Sequence, residues 1–341
     1  MAYSWHKSDF EALLARQEAL PHALLFRGNP GIGKLALAES LARALLCEQP
    51  GPGGSACGQC TACGWMAQGS HPDFRRLEPE ILAEQNEREE GGEKKASLQI
   101  QVEQVRAIAD FINVSSHRGG VKVVLIHPAE TLNIHAANAL LKNLEEPPPR
   151  TYFLLVAHRW HQLLPTIRSR CQQVALPPPP VEAARDWLKQ QGLASPDLAL
   201  AQAGGAPLLA LEFDEQYWQQ REQFLKAIAR NAFDALALGE QIRDLAPGRV
   251  VAWLQKWSYD LVSHKVTGSV SYNPDFAVPL AAAAARIELR DATRFLRQMV
   301  RLQRIVSHPL NARLFYELLL LTYAALLNGR SSVVKHFQDA R

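Results

Sequence analysis

A chain of 341 residues, 47% hydrophobic and 21% charged, carries enough apolar content for two or three domains with cores of their own, which excludes a disordered chain. A formal net charge of +3 is too small to establish nucleic-acid binding, which needs a local basic patch. No apolar run reaches the roughly 18 residues that a membrane span requires, and Met1-Ala2-Tyr3-Ser4-Trp5-His6-Lys7 lacks the basic-then-apolar pattern of a signal peptide, so a cytoplasmic location is expected. In a reducing compartment the five cysteines read as metal ligands or free thiols, and four of them fall within the span Cys47 to Cys63.

Along the chain, Phe10, Leu13, Leu14 and Leu20 mark a helix ahead of Ala23-Leu24-Leu25-Phe26, an apolar run that reads as a buried strand. Gly28-Asn29-Pro30-Gly31-Ile32-Gly33-Lys34-Leu35 follows. A phosphate-binding loop needs Gly, four residues, Gly-Lys and a hydroxyl, because backbone N–H groups cradle the phosphates, the lysine reaches the terminal ones and the hydroxyl holds Mg²⁺. Leu35 stands at the hydroxyl position. An alanine- and leucine-rich helix from Leu35 to Leu46 completes the strand, loop, helix order of a P-loop. Gly28, Gly31, Gly33 and Lys34 are therefore the candidate nucleotide ligands of a degenerate loop.

Pro50-Gly51-Pro52-Gly53-Gly54 opens an insertion, and Cys57-Gly58-Gln59-Cys60-Thr61-Ala62-Cys63 lies within it. With Cys47 upstream, Cys57, Cys60 and Cys63 can close a tetrahedral Zn²⁺ site, and four protein ligands make it structural, not catalytic. An iron–sulfur run would continue with a further cysteine and proline where this chain has Gly64-Trp65-Met66-Ala67; free buried thiols are the other alternative. Residues 78–96 are highly charged without apolar period and read as a mobile surface loop.

Ile100, Val102, Val105, Ile108 and Ile112 recur at helical spacing, and Val121 to Ile126 is a continuous apolar strand. A helix from about Asn133 to Glu146 stops at Pro147-Pro148-Pro149, and Tyr152 to Val156 is the next strand, giving a βαβ unit in a parallel sheet. Pro177-Pro178-Pro179-Pro180 is a stiff linker. Three short helical patterns fill 181–213, and longer ones lie around Trp218–Ile228, Val250–Val262, Thr293–Ile305 and Ala312–Leu327.

Gly28 to Lys34, the four cysteines, Asn138-Ala139-Leu140-Leu141-Lys142-Asn143-Leu144-Glu145-Glu146-Pro147-Pro148 and Ser169-Arg170-Cys171 together resemble the bacterial clamp-loader subunits of the AAA+ class. The resemblance runs to about residue 210. It implies an α/β fold with three domains: an AAA+ P-loop parallel-sheet domain over 1–176 with a zinc module at 47–63, a small helical lid over 177–213, and an all-α collar for oligomerisation over 214–341. ATPase members hold Mg²⁺ with an aspartate at a strand end and activate water with a neighbouring glutamate. Here His127 and Pro128 occupy those places, and neither does that work, because Mg²⁺ prefers oxygen and proline has no basic side chain. Glu130 reads as a helix-start or surface residue. Leu208 stands where relatives keep a phosphate-sensing arginine, and the sensor position near Ala157-His158 is altered.

The resemblance therefore implies a subunit without hydrolysis, its nucleotide absent or weakly bound, with zinc as a structural ion. Arg170 is implied to be a finger reaching the γ-phosphate held by a neighbour. The simpler role for Arg170 is pairing with a carboxylate, and Ser169 and Cys171 read as turn and packing residues. Implied partners are the ATPase (tau/gamma) and clamp-opening delta subunits, with the sliding clamp and primed DNA within the complex. Two rival readings stay open at this point: an ATP-hydrolysing motor subunit of the same fold, and a stand-alone zinc nucleic-acid-binding protein.

Overall fold

A computed structural model describes residues 2–86, 96–117, 120–230, 233–305 and 312–329. The chain divides into two compact units, 1–184 and 185–341.

The first unit is built on a five-stranded sheet: β1 (Ala23–Arg27), β2 (Phe74–Leu77), β3 (Lys122–Ile126), β4 (Thr151–Ala157) and β5 (Gln172–Ala175). All strand pairs are parallel and the order is β2-β3-β4-β1-β5. Its helices are α1 (Lys7–Leu14), α2 (Lys34–Leu46), α3 (Thr61–Ala67), α4 (Glu80–Asn86), α5 (Val102–Asn113), α6 (Ile134–Glu145) and the single turn α7 (Pro165–Arg168).

Parallel strands covered on both faces are largely apolar, and the three central strands follow this inside their end residues Arg27, Lys122 and Thr151: β3 is buried along its whole length and β4 at every residue but Tyr152. Leu25 of β1 sits beside Leu155 of β4 on one side and Gln173 of β5 on the other. The sheet core continues into Val105, Ile108 and Ile112 of α5 and Ala137, Leu140 and Leu144 of α6. Asn133 caps α6 by accepting the Ala136 N–H at 2.8 Å, which fixes where the chain leaving β3 turns back across the sheet.

Two strands escaped the sequence reading. β2 carries Arg75 and Arg76, β5 carries Gln172 and Gln173, and all four are exposed at the two sheet edges, where one-sided burial erases the apolar signature. The charged stretch 78–96, expected to be a loop, also needs correction. Glu80–Asn86 is helical, opening on an acidic residue that suits a helix N-terminus, and 87–95 lies outside the described residues.

The second unit is helical. Helix α8 (Val181–Gln190) runs across the boundary, followed by α9 (Pro196–Gln202), α10 (Pro207–Ala210), α11 (Glu215–Ile228), α12 (Ala235–Gln241), α13 (Pro247–Thr267), α14 (Ala277–Arg286), α15 (Leu289–Ile305) and α16 (Ala312–Leu327). α13 is its spine. Proline at its first turn and Gly268 in the left-handed region at its end (φ +72°) set its limits. Trp253 and Trp257 bury against Phe224, Phe295 and Tyr323, and the Trp257 indole N–H donates to the Tyr323 hydroxyl at 2.8 Å. Among the described residues no helix is long and apolar enough to cross a membrane.

Candidate functional site

Parallel α/β sheets gather ligands beyond the carboxyl ends of their strands, and Gly28, Gly31, Gly33 and Lys34 lie there together with His127 and His158, whereas Arg170 precedes β5 and Cys47 follows α2, on the side of the strands' amino ends. The loop after β1 holds Gly28, Gly31 and Gly33 at φ +155°, +73° and +91°. A Cβ on Gly28 would lie 2.4 Å from the Leu176 carbonyl oxygen, and one on Gly33 2.5 Å from the Tyr3 ring, so both positions demand glycine. At Gly33 the group drawn close is the chain's own N-terminal segment. Tyr3 stacks on Trp5 with centroids 4.7 Å apart. The Trp5 indole N–H and the His6 Nε2–H both donate to the Ile32 carbonyl, at 3.0 and 2.7 Å.

Lys34 opens α2 and is 2% exposed. Its ammonium donates to the Asn29 carbonyl of the same loop. Burial lowers its pKa to about 8, with the Glu130 carboxylate acting in the opposite direction. Leu35, one residue on, offers no oxygen to a cation.

The metal end of the site is occupied by imidazoles. His127 follows β3, His158 follows β4, and their Nε2 atoms lie 3.2 Å apart with the rings perpendicular. One ring must donate and the other accept, so at least one is neutral. Burial carries both pKa values down to about 4, reinforced at His127 by His158, Arg76 and Lys34, and at His158 by Lys34 and Arg159. Such a pair offers no anionic oxygen where a hard cation would need one.

Glu130 sits in a 3₁₀ turn, Ala129–Thr131, so its helix-start assignment holds. It is half-buried, and its carboxylate turns back to the end of β4 and accepts the N–H groups of His158 at 3.0 Å and Arg159 at 2.9 Å. Sequence reasoning missed this clamp, and the available signal was an acid just past a strand end facing Lys34.

Arg170 stands between α7 and β5, 34% exposed. Its guanidinium pairs with Glu145, the last residue of α6, and donates to the Thr166 carbonyl at 2.9 Å. The carboxylate partner foreseen for it is thus present. Ser169 donates to the Thr166 carbonyl at 3.0 Å, a turn contact. Cys171 is buried, and desolvation pushes its thiol up to about 12, which keeps it protonated and unreactive. Nearby, the guanidinium groups of Arg27 and Arg168 both approach the Trp160 ring, at 4.6 and 5.3 Å from its centroid.

The four cysteines come together as the spacing predicts. Cys47 ends α2, Cys60 caps α3 and Cys63 lies in its first turn. All four sulfurs lie within 4.8 Å of one another, with Cys47–Cys60 and Cys57–Cys63 at 3.9 Å and Cys47–Cys63 at 3.7 Å. Tetrahedral bonds of about 2.3 Å to zinc set sulfurs about 3.8 Å apart, so the cluster fits a metal ion such as zinc. Backbone N–H groups of Cys57, Cys60 and Cys63 point at the sulfurs of Cys47, Cys57 and Cys60 at 3.3 to 3.4 Å, an arrangement that favours thiolates.

The glycine loop and helix on a parallel sheet, the four-cysteine insertion and the helical C-terminal unit define an AAA+-type P-loop protein. Residues 7–180 match the family model described as DNA polymerase III, delta subunit, and residues 215–324 the model for the C-terminal part of that subunit. The chain is 38% identical over 273 residues to the DNA polymerase III subunit delta' of Pseudomonas aeruginosa, covering 78% of each chain. It is 40% identical over 233 residues to that of Escherichia coli, covering 67% of this chain and 65% of the relative. With the subunit of Yersinia pestis it shares 34% identity over 299 residues, 84% of this chain and 83% of the other. The chain belongs to the DNA polymerase III delta-prime family of clamp-loader subunits.

Proposed function

We propose that this chain is the non-hydrolysing stator of its clamp loader, and that it completes a neighbouring ATPase site with Arg170. The observation that carries the reading is the His127–His158 pair, 3.2 Å between nitrogens, at the strand ends where a motor subunit holds Mg²⁺. Without a metal ligand at 127 or a hydroxyl at 35, phosphoryl transfer loses the charge neutralisation it depends on. Lys34 is already bonded to Asn29, so nucleotide is absent or weakly held by Gly28, Gly31, Gly33 and Lys34.

Arg170 suits the finger role because its Glu145 pair is partly exposed. Such a pair contributes about 0–1 kcal/mol, so the guanidinium can exchange Glu145 for a phosphate at little cost. The reading includes Zn²⁺ on Cys47, Cys57, Cys60 and Cys63 as a staple between the end of α2 and α3. It also includes the division into 1–176, 177–213 and 214–341. The partners are the ATPase (tau/gamma) and delta subunits, acting in the cytoplasm to load the sliding clamp on primed DNA.

Two measurements test it. The isolated chain should show no ATP turnover above background; turnover abolished by Lys34→Ala makes it a motor instead. In the reconstituted assembly, Arg170→Ala should slow the adjoining site by on the order of 10³-fold or more, lowering DNA-stimulated ATPase by that site's share. Unchanged turnover removes Arg170 from the role.

A further inference from the structure

Helix α15 carries a feature that the clamp-loader reading does not use. Arg290, Arg294, Arg297 and Arg301 fall at i, i+4, i+7 and i+11, which at 3.6 residues per turn confines them to about 60° of the helix surface. Ala292, Phe295, Met299 and Leu302 on the other side are buried in the core of the helical unit, so packing fixes the arginine face outward. Arg290, Arg297 and Arg301 are exposed and Arg294 is half-buried. Together with Thr293 and Gln298 they line a shallow cleft of about 330 Å³.

The charge is concentrated there. Leu289–Ile305 holds five arginines, the four above and Arg304, against the single acid Asp291, a balance of +4. The whole chain carries +3, so everything outside this helix sums to −1. Asp291 pairs with Arg294 at 3.1 Å, and among the described residues no ion pair involves Arg290, Arg297 or Arg301. A row of like charges one helical turn apart is self-repelling, and that repulsion is relieved by an anion of matching repeat.

We propose that this row binds the phosphodiester backbone of DNA without reading its sequence. From Arg290 to Arg301 the row is about 16 Å long at 1.5 Å per residue, and one strand presents a phosphate about every 3.4 Å along the axis, so the row faces four or five phosphates. Arginine is the side chain whose fork matches phosphate oxygens two at a time. The cleft contains no aromatic ring on which a base would stack and no apolar pocket for the anchoring side chain of a protein partner, which favours backbone contact over either alternative. The row belongs to the helical unit, and its role stands or falls independently of Arg170.

The test is fluorescence anisotropy of the full chain with a labelled single strand and a duplex, each about 30 units long, between about 20 and 150 mM salt. Wild type should bind both at low salt, with no dependence on base order. Arg297→Ala with Arg301→Ala should weaken binding at about 50 mM salt by on the order of 100-fold, and should flatten the slope of log K against log salt by about 1.4 to 1.8. The double lysine variant should retain most of that slope, and Lys226→Ala with Arg243→Ala, exposed in the same unit, should change neither quantity. No binding by wild type at the lowest salt, an unchanged slope in the double alanine variant, or displacement by polyglutamate as effective as by unlabelled DNA each overturns the proposal.

Discussion

Replacing His158 by glutamine removes one of two half-buried imidazoles while leaving a polar amide facing His127. Both rings titrate near 4 in the folded chain against an ordinary 6.5, chiefly because burial disfavours the charged form, with the facing imidazole, Arg76, Arg159 and Lys34 adding positive charge. A folded-state pKa below the unfolded one means that the unfolded chain takes up the proton first as pH falls. The contribution is therefore complete above about 6.5 and is lost progressively between about 6.5 and 4. At about 1.36 kcal/mol per pH unit, one imidazole loses roughly 2.5 kcal/mol of stabilisation between pH 6.5 and 4.5, and because the two rings share a hydrogen bond they titrate as a pair. The glutamine variant should be less stable than wild type by about 1 kcal/mol at pH 7.5, the worth of one hydrogen bond. The difference should shrink as the pH drops and reverse near pH 6, where the loss from one imidazole reaches about 1 kcal/mol. Urea-dependent hydrogen exchange of peptides spanning β3 and β4, taken at several pH values, reads this locally and avoids confusion with carboxylates of the helical unit. A difference between wild type and variant that stays constant with pH would falsify the account of the pair.

Two further substitutions test the loop and the insertion. Gly33→Ala places a Cβ against Tyr3 at a φ of +91°, and should cost on the order of 1–3 kcal/mol, read as a lower Tm by calorimetry; adding Tyr3→Ala should recover the steric part alone, and full recovery would show that the backbone is unstrained. Cys60→Ser should abolish stoichiometric zinc in the purified chain, measured by elemental analysis, and open the segment between Cys47 and Cys63 to protease while far-UV circular dichroism keeps the signal of the sheet. Retained zinc would mean that Cys60 is not a ligand.

What the sequence disclosed followed the range of each interaction. β1, β3 and β4 were legible because burial on both faces leaves continuous apolar runs, as in Val123-Val124-Leu125-Ile126. The edge strands were not, since Arg75, Arg76, Gln172 and Gln173 answer to solvent. Lys34 and its glycines, like Cys57, Cys60 and Cys63, are set by spacing along a few residues, and local spacing survives in a string of letters. The His127–His158 contact depends instead on β3 lying beside β4 with Ile126 opposite Leu155, a register that sequence does not print. For the same reason each histidine could be read only as the absence of a carboxylate or a sensor. The Glu130 clamp and the Glu145–Arg170 pair likewise join residues 28 and 25 positions apart.

The polar groups of the glycine loop and of the neighbouring strand ends have partners within the chain. Ile32 gives its carbonyl to Trp5 and His6, Lys34 gives its ammonium to Asn29, and Glu130 takes the N–H groups at the end of β4. Each of these bonds is internal, so the strand ends are held without nucleotide, where a working P-loop leaves its amides and lysine open to a phosphate. An incoming phosphate would have to draw Lys34 away from Asn29 and would meet neutral imidazoles where a metal ion should share its charge. Its one clear gain is at Lys34, whose pKa of about 8 reflects a buried cation short of negative charge. A phosphate bound here would favour the charged form of that lysine, so its binding would be linked to proton uptake near pH 8 and would weaken above it. The retained glycines are explained by the same geometry, because Gly28 beneath Leu176 and Gly33 beneath Tyr3 leave no room for a side chain whether or not a phosphate is bound.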